Sequence, residues 1–437
     1  MQLNARQAAL ETLVRCRRDG AWASASMDTL IRKTGLDRRD AALAERLCFG
    51  VLQNGSLLDY YIDFYCPGKL EPKVRDILRL GVYQILFLDR IPAHAAVSET
   101  VALSKRSGCA RASGLVNAVL RKIADNRDQL PPIPGEGRAE YLAIRYSHPQ
   151  WLAEELIAQK GYAFTEAFFE NNNEAPALTV QVNTLRVEPA DYIRALERAE
   201  LPILSTGKPE GCIRLSGGVA SDLPGYEEGL FYVQDRAARL AVEIAAPEAG
   251  MRVLDACACP GGKTFAAAIR MQNQGEILSC DIHEKKLGLV LSGARRLGID
   301  IVSTRAMDAR SYDPTLSARF DLVIADVPCS GFGVIGKKPE IRNKNRDDIA
   351  ALPEIQRAIL DNLSRYVAPG GVLLYSTCTV LREENEDVVT AFLSEHWDFT
   401  AEPFLVGDIY ADKGMYTFWP NVDGTDGFFA AKLRKQQ

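Results

Sequence analysis

The segment Asp255-Ala256-Cys257-Ala258-Cys259-Pro260-Gly261-Gly262-Lys263-Thr264 decides how this chain is read. The apolar run Arg252–Cys257 leads into it and a helical pattern follows it, so it reads as strand, glycine turn and helix start. Glycines at such a turn let a ligand approach the backbone, and the helix start offers N–H groups with no partner inside the helix. A Walker A phosphate loop would need glycine at the position of Cys257, and no Gly-x-Gly-x-x-Gly pattern is present. A nucleoside triphosphatase and a nicotinamide enzyme are therefore the weaker readings.

Downstream the rhythm of strand, turn and helix repeats. Strands are expected at Glu276–Asp281, Val302–Asp308, Phe320–Asp326 and Gly371–Cys378, with helical stretches between them. Short apolar strands alternating with helices predict an α/β domain over residues 236–437, a parallel sheet covered on both faces. Such sheets bind ligands at the carboxyl ends of their strands. Asp281, Asp308 and Asp326 each end a strand, and with Asp255 they put four carboxylates on one rim. Taken singly, each reads more readily as a helix cap or loop residue, and it is the set of four on successive strands that points to a site.

Upstream the pattern differs. Residues 1–130 carry apolar positions at three- and four-residue spacing, as in Ile77, Leu80, Val82, Ile85 and Leu86, and read as all helix. Pro131-Pro132-Ile133-Pro134-Gly135-Glu136-Gly137 reads as a stiff linker. Residues 138–235 mix the helix candidates Trp151–Lys160 and Ala190–Glu200 with β-rich runs such as Leu178–Val182, a small α+β module. The chain is thus expected to be multidomain.

The 437 residues include 52 Lys+Arg and 57 Asp+Glu, a net charge of −5, with 25% charged and 47% hydrophobic residues. That is a globular composition, which excludes disordered and fibrous chains. The charge is unevenly spread: residues 1–130 hold 20 basic and 14 acidic side chains, the remainder 32 and 43. A basic front suggests an anionic partner such as nucleic acid. No apolar run reaches the roughly 18–20 residues that span a bilayer, and the first residues lack a signal layout, so a cytoplasmic protein with no membrane partner is expected.

Two of the ten cysteines stand out. Cys329 lies in Asp326-Val327-Pro328-Cys329-Ser330-Gly331 and Cys378 in Tyr375-Ser376-Thr377-Cys378-Thr379, each just past an expected strand. A thiol serves as nucleophile or as acid and base once its pKa is tuned. Cys16, Cys48, Cys66, Cys109, Cys212 and Cys280 are read as small buried hydrophobes, with Cys257 and Cys259 packed at the glycine turn. No metal site is expected, because there is no Cys-x-x-Cys and the four histidines are scattered.

The glycine turn, Asp-Val-Pro-Cys-Ser-Gly, and Tyr-Ser-Thr-Cys-Thr followed by Glu384-Asn385-Glu386 together resemble the signatures of the Nop/Sun family of RNA cytosine-5 methyltransferases. Thr425-Asp426-Gly427-Phe428-Phe429-Ala430-Ala431-Lys432 resembles that family's last strand. Ile91-Pro92-Ala93-His94-Ala95-Ala96-Val97 and Val116-Asn117-Ala118-Val119-Leu120-Arg121 resemble the NusB-like domain of its bacterial RsmB-type branch, which modifies 16S ribosomal RNA. The resemblance implies a NusB-like domain, a small RNA-binding module and a Rossmann-type methyltransferase domain using S-adenosyl-L-methionine. It implies Cys378 as nucleophile, Cys329 as the releasing group and Asp326 facing the base. Cys257, Ala258, Cys259, Pro260, Gly261, Gly262, Lys263, Asp281, Asp308 and Asp326 would line the cofactor pocket, with Asp281 at the ribose and Asp308 at the adenine side.

Some alternatives stay open at this point. Lys263 either meets the cofactor or base, or is a solvent-facing helix lysine. In many DNA cytosine methyltransferases the Pro-Cys cysteine attacks, which keeps Cys329 as competing nucleophile. The basic run Lys337, Lys338, Arg342, Lys344 and Arg346 is expected to hold RNA phosphates, although Gly336-Lys337-Lys338 stands where the family more often has an arginine pair. The expected partner is 16S ribosomal RNA and the expected state a monomer. The rival readings are transfer RNA or 23S ribosomal RNA as target, and an antitermination-type RNA-binding protein with no catalysis.

Overall fold

Apolar side chains recurring every three to four residues become the buried faces of helices in the computed structural model, which describes residues 3–437. The first helices are Ala5–Asp19, Ala23–Thr34, Arg38–Gln53, Gly55–Tyr65, Pro72–Phe87, Ala93–Arg106 and Ser113–Asp125. Local chemistry sets their ends. Asn4 accepts from the Gln7 backbone N–H at 2.9 Å while its own N–H donates to Gln7 Oε1 at 3.1 Å, a capping box, and Gly20 closes the same helix at φ 61°. Leu13, Leu47, Leu58, Ile77, Leu80 and Leu120 share one core.

The segment expected as a linker is not a spacer. Tyr60 Oη donates to the Pro132 carbonyl at 2.6 Å and Ile133 packs on the helical core, because its apolar side chains find that core within reach. Three more helices, Ala139–Arg145, Gln150–Lys160 and Tyr162–Asn171, lie in the same compact unit, which runs to residue 174 and takes in residues 335–346 as well. The span 138–235 therefore divides: its first helices join this unit and its strands the next.

The second unit comprises residues 175–334 and 347–437. It opens with β1 (Leu178–Val182), β2 (Ile203–Gly207), β3 (Cys212–Leu215) and β4 (Phe231–Val233), an antiparallel sheet in the order β2-β3-β1-β4. Helix Pro189–Arg198 connects β1 to β2, and Tyr192 and Leu196 share a core with Val180, Ile213 and Phe231. This strand order is that of a ferredoxin-like module, with a short 3-10 turn, Ala220–Asp222, in place of its second helix.

The main sheet follows: β5 (Arg252–Asp255), β6 (Glu276–Asp281), β7 (Val302–Ala306), β8 (Phe320–Asp326) and β9 (Val367–Thr377) are parallel. After the separate hairpin pair between β10 (Phe399–Ala401) and β13 (Met415–Phe418), formed by β11 (Phe404–Val406) and β12 (Ile409–Ala411), strand β14 (Phe428–Lys435) runs antiparallel to β9. The order is β10-β14-β9-β8-β5-β6-β7, with β13 also on β14. The expected parallel strands are all present. Strand β7 ends at Ala306, so Asp308 sits two residues beyond it. Chain direction across the sheet reverses between β5 and β8, a topological switch point of the kind that leaves a crevice at the carboxyl ends of the strands.

Gly50 of helix Arg38–Gln53 packs directly against Tyr83 of helix Pro72–Phe87. A Cβ there would stand 1.9 Å from the Tyr83 ring. Gly50→Ala should therefore destabilise the protein by about 1–3 kcal/mol despite alanine's better helix propensity. Urea titration checks this, and Gly50→Ala combined with Tyr83→Leu should recover part of the loss. An unchanged midpoint in the single variant would exclude the close packing.

Candidate active site

The pairing of β8 with β9 sets Asp326 opposite Ser376, so the residues just past both strand ends emerge together. Cys329 and Cys378, 49 positions apart in sequence, meet with their sulfurs 3.2 Å apart. The Cys378 N–H also donates to Cys329 Sγ at 3.3 Å. Both thiols are partly exposed. The Cys329 thiol is held well above the ordinary cysteine range, first by its hydrogen bond to Cys378, then by burial and by the charges of Cys378 and Glu384.

Asp326 stands beside them. Its Oδ1 accepts from Ser376 Oγ at 2.8 Å, and its Oδ2 lies 2.7 Å from Lys263 Nζ. Lys263 is buried and its Nζ lies 4.9 Å from the centroid of the Phe428 ring. This excludes the solvent-facing reading of Lys263: its helix start is covered by β14, and the ammonium turns to the carboxylate.

Asp255 differs from the other acids. It is fully buried rather than on the rim, accepts from Thr264 Oγ1 at 2.7 Å, and through that hydroxyl meets Ser279 Oγ at 2.8 Å. Burial pushes its carboxyl up to about 7, against the pull of the Thr264 hydrogen bond. Its second oxygen, Oδ1, has no hydrogen-bond partner among the described residues. Asp281, at the end of β6, is half-exposed and accepts from the His283 N–H at 2.8 Å. Burial and the neighbouring Asp281 charge push the Cys259 thiol up to about 12, so it is inert as a nucleophile. Asp308 is clasped by Arg310 through Nε at 3.0 Å and a terminal nitrogen at 2.7 Å, which lowers its pKa.

The glycine turn behaves as its sequence implies. Gly261 has φ 117°, and a Cβ there would stand 2.5 Å from the Phe265 ring. Helix Gly262–Arg270 begins at once, with its first internal bond from Phe265 N to Gly261 O at 2.9 Å. The positive φ and the Phe265 ring both require glycine at position 261. A left-handed glycine turn, a buried carboxylate with an open oxygen and a half-exposed acid at the next strand end fit a nucleoside-containing cofactor.

The basic run divides. Lys337 and Lys338 are exposed, Lys344 is half-buried, and Lys338 Nζ lies 4.9 Å from the Trp22 ring centroid. Arg346 pairs with Glu155 and lies 5.0 Å from the Trp151 ring centroid. Arg342 is a correction to the expected phosphate contacts. It is buried, donating to Ile335 O at 3.1 Å, Asn172 O at 3.3 Å and Asn173 Oδ1 at 2.5 Å, and burial lowers its guanidinium to about 9. Among the cysteines read as buried, Cys66 is half-buried.

Several contributors escaped the sequence reading. Ser376 orients Asp326, while Gln356, Thr379, Glu384 and Asn385 bind the cysteine loops. Glu384 and Asn385 lie in a quoted motif without an assigned role, and Gln356 sits in an ordinary helical pattern with no local signal.

A mixed sheet with a glycine turn, acids and paired thiols at the carboxyl ends of its parallel strands is that of a Rossmann-type methyltransferase. A family model described as 16S rRNA methyltransferase RsmB/F matches residues 242–434, a NusB family model matches 3–125, and the ferredoxin-like domain of RsmF/B-like methyltransferases matches 148–222. The probable ribosomal RNA small subunit methyltransferase B of Bacillus subtilis is 34% identical over 442 residues, covering 99% of this chain and 98% of that protein. The Vibrio cholerae ribosomal RNA small subunit methyltransferase B is 35% identical, covering 91% and 90%. The crystal structure of PH0851 superposes with a TM-score of 0.81 at 26% identity over the whole of both chains. The chain belongs to the ribosomal RNA small subunit methyltransferase B family, S-adenosylmethionine-dependent enzymes with a NusB domain, a ferredoxin-like module and a methyltransferase domain. No helix among the described residues is long and apolar enough to cross a membrane.

The Asp255 carboxyl, at about 7 when folded against roughly 3.9 when unfolded, binds its proton more tightly in the native state. Its contribution to stability is present below about pH 4 and is lost as pH rises through about 7. Asn keeps the acceptor for Thr264 and cannot ionise. Measured without cofactor, the thermal midpoint of Asp255→Asn should gain on that of the parent between pH 5 and pH 8. A difference that stays flat across that range would contradict the burial.

Proposed function

We propose that this protein methylates C5 of a cytosine in 16S ribosomal RNA through a covalent adduct between Cys378 and C6. The contact of Cys329 with Cys378 beside Asp326 is the observation that carries this reading. C5 of cytosine is a weak nucleophile, and a thiolate added at C6 makes it enamine-like. When bound, S-adenosylmethionine supplies an electrophilic methyl group on a sulfonium. The turn Cys257–Lys263 would hold it, with Asp281 at its ribose, Asp308 and its partner Arg310 at the adenine side, and Asp326 between cofactor and base.

The thiol pair supports a division of labour. The Cys378 thiol passes its proton to solvent, and its thiolate forms the C6–S bond as the C5=C6 pair shifts to C4–C5 and the C4=N3 pair moves onto N3, which takes up a proton from solvent. A carboxylate only accepts hydrogen bonds, so Asp326 receives the N4 amino group or N3 once N3 is protonated, and Lys263 supplies the compensating charge. Bonded to carbon, Cys378 no longer carries charge. The hydrogen bond to Cys378 and its charge, two of the causes that raise Cys329, are then gone, which eases ionisation of Cys329 while burial and Glu384 still oppose it. Its thiolate takes the C5 proton after methyl transfer, the C6–S bond breaks and the C5=C6 bond returns.

A stacked base cannot present C6, so the target cytosine must be flipped out or lie in a loop. Both thiols, Asp326 and Lys263 come from one chain, which supports a monomer, and a ribosomal substrate supports a cytoplasmic location. Lys337, Lys338, Lys344 and Arg346 are the phosphate contacts in this reading.

With RNA and S-adenosylmethionine, Cys378→Ala should form neither 5-methylcytosine nor a denaturation-resistant adduct, and Cys329→Ala should accumulate the adduct. Exchanged phenotypes would reverse the two roles, and a wild-type rate in both would remove covalent catalysis. A second measurement concerns the basic run. Lys337→Ala and Lys338→Ala should each reduce the slope of log affinity against log salt by about 0.7–1. Arg342→Met should lower the thermal midpoint instead.

A further inference from the structure

Glu384 and Asn385 hold the two cysteine loops from one short turn. Glu384 Oε2 accepts from the Ser330 N–H at 2.9 Å and from Gln356 Nε2 at 2.8 Å, and Gln356 Nε2 also donates to the Pro328 carbonyl at 3.0 Å. The residues on either side of Cys329 are thereby tied to one carboxylate and one amide. Asn385 does the same for Cys378: its Oδ1 accepts from Thr377 Oγ1 at 2.6 Å and its Nδ2 donates to the Thr379 carbonyl at 3.0 Å. Ser330 Oγ and Thr379 Oγ1, 2.8 Å apart, join the two loops directly. Tyr375 Oη donates to the Glu384 carbonyl at 2.5 Å and anchors the turn to β9.

Two details set this arrangement apart from ordinary loop packing. Asn385 occupies the N-cap position of helix Glu386–Glu395, where an asparagine would normally accept from its own helix, yet its side chain makes no capping bond. Its hydrogen-bonding capacity goes to the Cys378 loop. Glu384 is fully buried, and its Oε1 has no hydrogen-bond partner among the described residues. A buried carboxylate with an open oxygen is costly. Its other oxygen contacts only the neighbourhood of Cys329.

We propose that Glu384 and Asn385 are positioning residues that set the spacing and mutual facing of the Cys329 and Cys378 sulfurs, one residue for each loop. The proposal rests on the reading that both thiols serve one reaction. Their hydrogen bonds go to Pro328–Ser330 and Thr377–Thr379, the segments that carry the two sulfurs, so they act through those segments. Their loss should slow the chemical steps and leave the binding of cofactor and RNA in place.

The test uses the full-length chain and two readouts. The first is a ruler that needs no RNA: diamide takes up two hydrogens as Cys329 and Cys378 close to a disulfide, and peptide mass spectrometry follows the linked pair. Asn385→Ala and Glu384→Ala should slow this cross-link by about a hundredfold, the scale expected of a displacement near 1 Å. S-adenosylmethionine affinity by calorimetry should stay within about twofold. The second readout is turnover, where kcat should fall with KM for RNA unchanged. Asn385→Asp keeps the Thr377 bond and loses the Thr379 bond, and should give an intermediate rate. Glu384→Gln keeps an acceptor for Ser330 and should restore most of the rate. If the alanine variants fail to fold, Asn385→Asp decides: a parental cross-linking rate there overturns the proposal. Parental rates in the folded alanine variants do the same. A wild-type chain that cross-links as expected but forms no RNA adduct overturns the methylation chemistry and leaves the spacing clamp standing.

Discussion

The parallel pairing of β8 with β9 is the constraint on which the site depends. Ala325 faces Tyr375 and Asp326 faces Ser376 across that ladder, and the chain leaves both strands at the same level. Side chains alternate faces along a strand, so a slip of one residue would turn the cysteine-bearing ends away from each other. The register is secured where it is buried: Val323, Leu373, Ala325 and Tyr375 share one core face, while Ile324 and Leu374 share the other. An eleven-residue β9, running Val367–Thr377, gives the ladder length. Chemistry at the rim thus rests on hydrophobic packing in the middle of the sheet.

Four strand-end acids have four distinct environments, and environment rather than residue type assigns their roles. Asp255 is buried beside hydroxyls and tends to hold its proton. Asp326 carries a lysine partner at 2.7 Å, and Asp308 is clasped by its own neighbour Arg310. Asp281 keeps a half-exposed carboxylate at the end of β6. A fixed ion pair costs little to keep at a half-exposed site, whereas a lone buried charge is expensive. The acid with the least exposure is accordingly the one pushed toward neutrality.

Much of this was legible in the residues. The alternation of strand and helix after residue 250 located the parallel sheet, and β6 and β8 fall on the expected residues because apolar runs bounded by turn chemistry mark strands well. The meeting of Cys329 and Cys378 followed from both lying past a strand. The division of residues 138–235 was not legible, since helices Gln150–Lys160 and Tyr162–Asn171 carry no mark of which core they will join. Arg342 misled for a related reason: in a run of basic residues, nothing local tells a phosphate contact from a guanidinium that satisfies the carbonyls of Ile335 and Asn172. Long-range partners decide such cases, and sequence spacing is blind to them.

The loop after Cys329 shows why glycine recurs around this site. The Gly333 N–H donates to the Cys378 carbonyl at 3.0 Å, and the Gly427 N–H donates to the Gly333 carbonyl at 2.8 Å. A Cβ on Gly333 would stand 1.8 Å from the Gly427 carbonyl oxygen, and one on Gly427 would stand 2.6 Å from Gly333 Cα. Three backbones therefore pack in contact, which only residues without side chains permit. The Cys329 loop is tied to the Cys378 loop on one side and to the entry of β14 on the other. Phe428, the next residue of that strand, lies under the Lys263 ammonium that pairs with Asp326. The last strand of the chain thus braces both halves of the site, thiols and carboxylate. That gives the closing Thr425–Lys432 motif a mechanical role in the site.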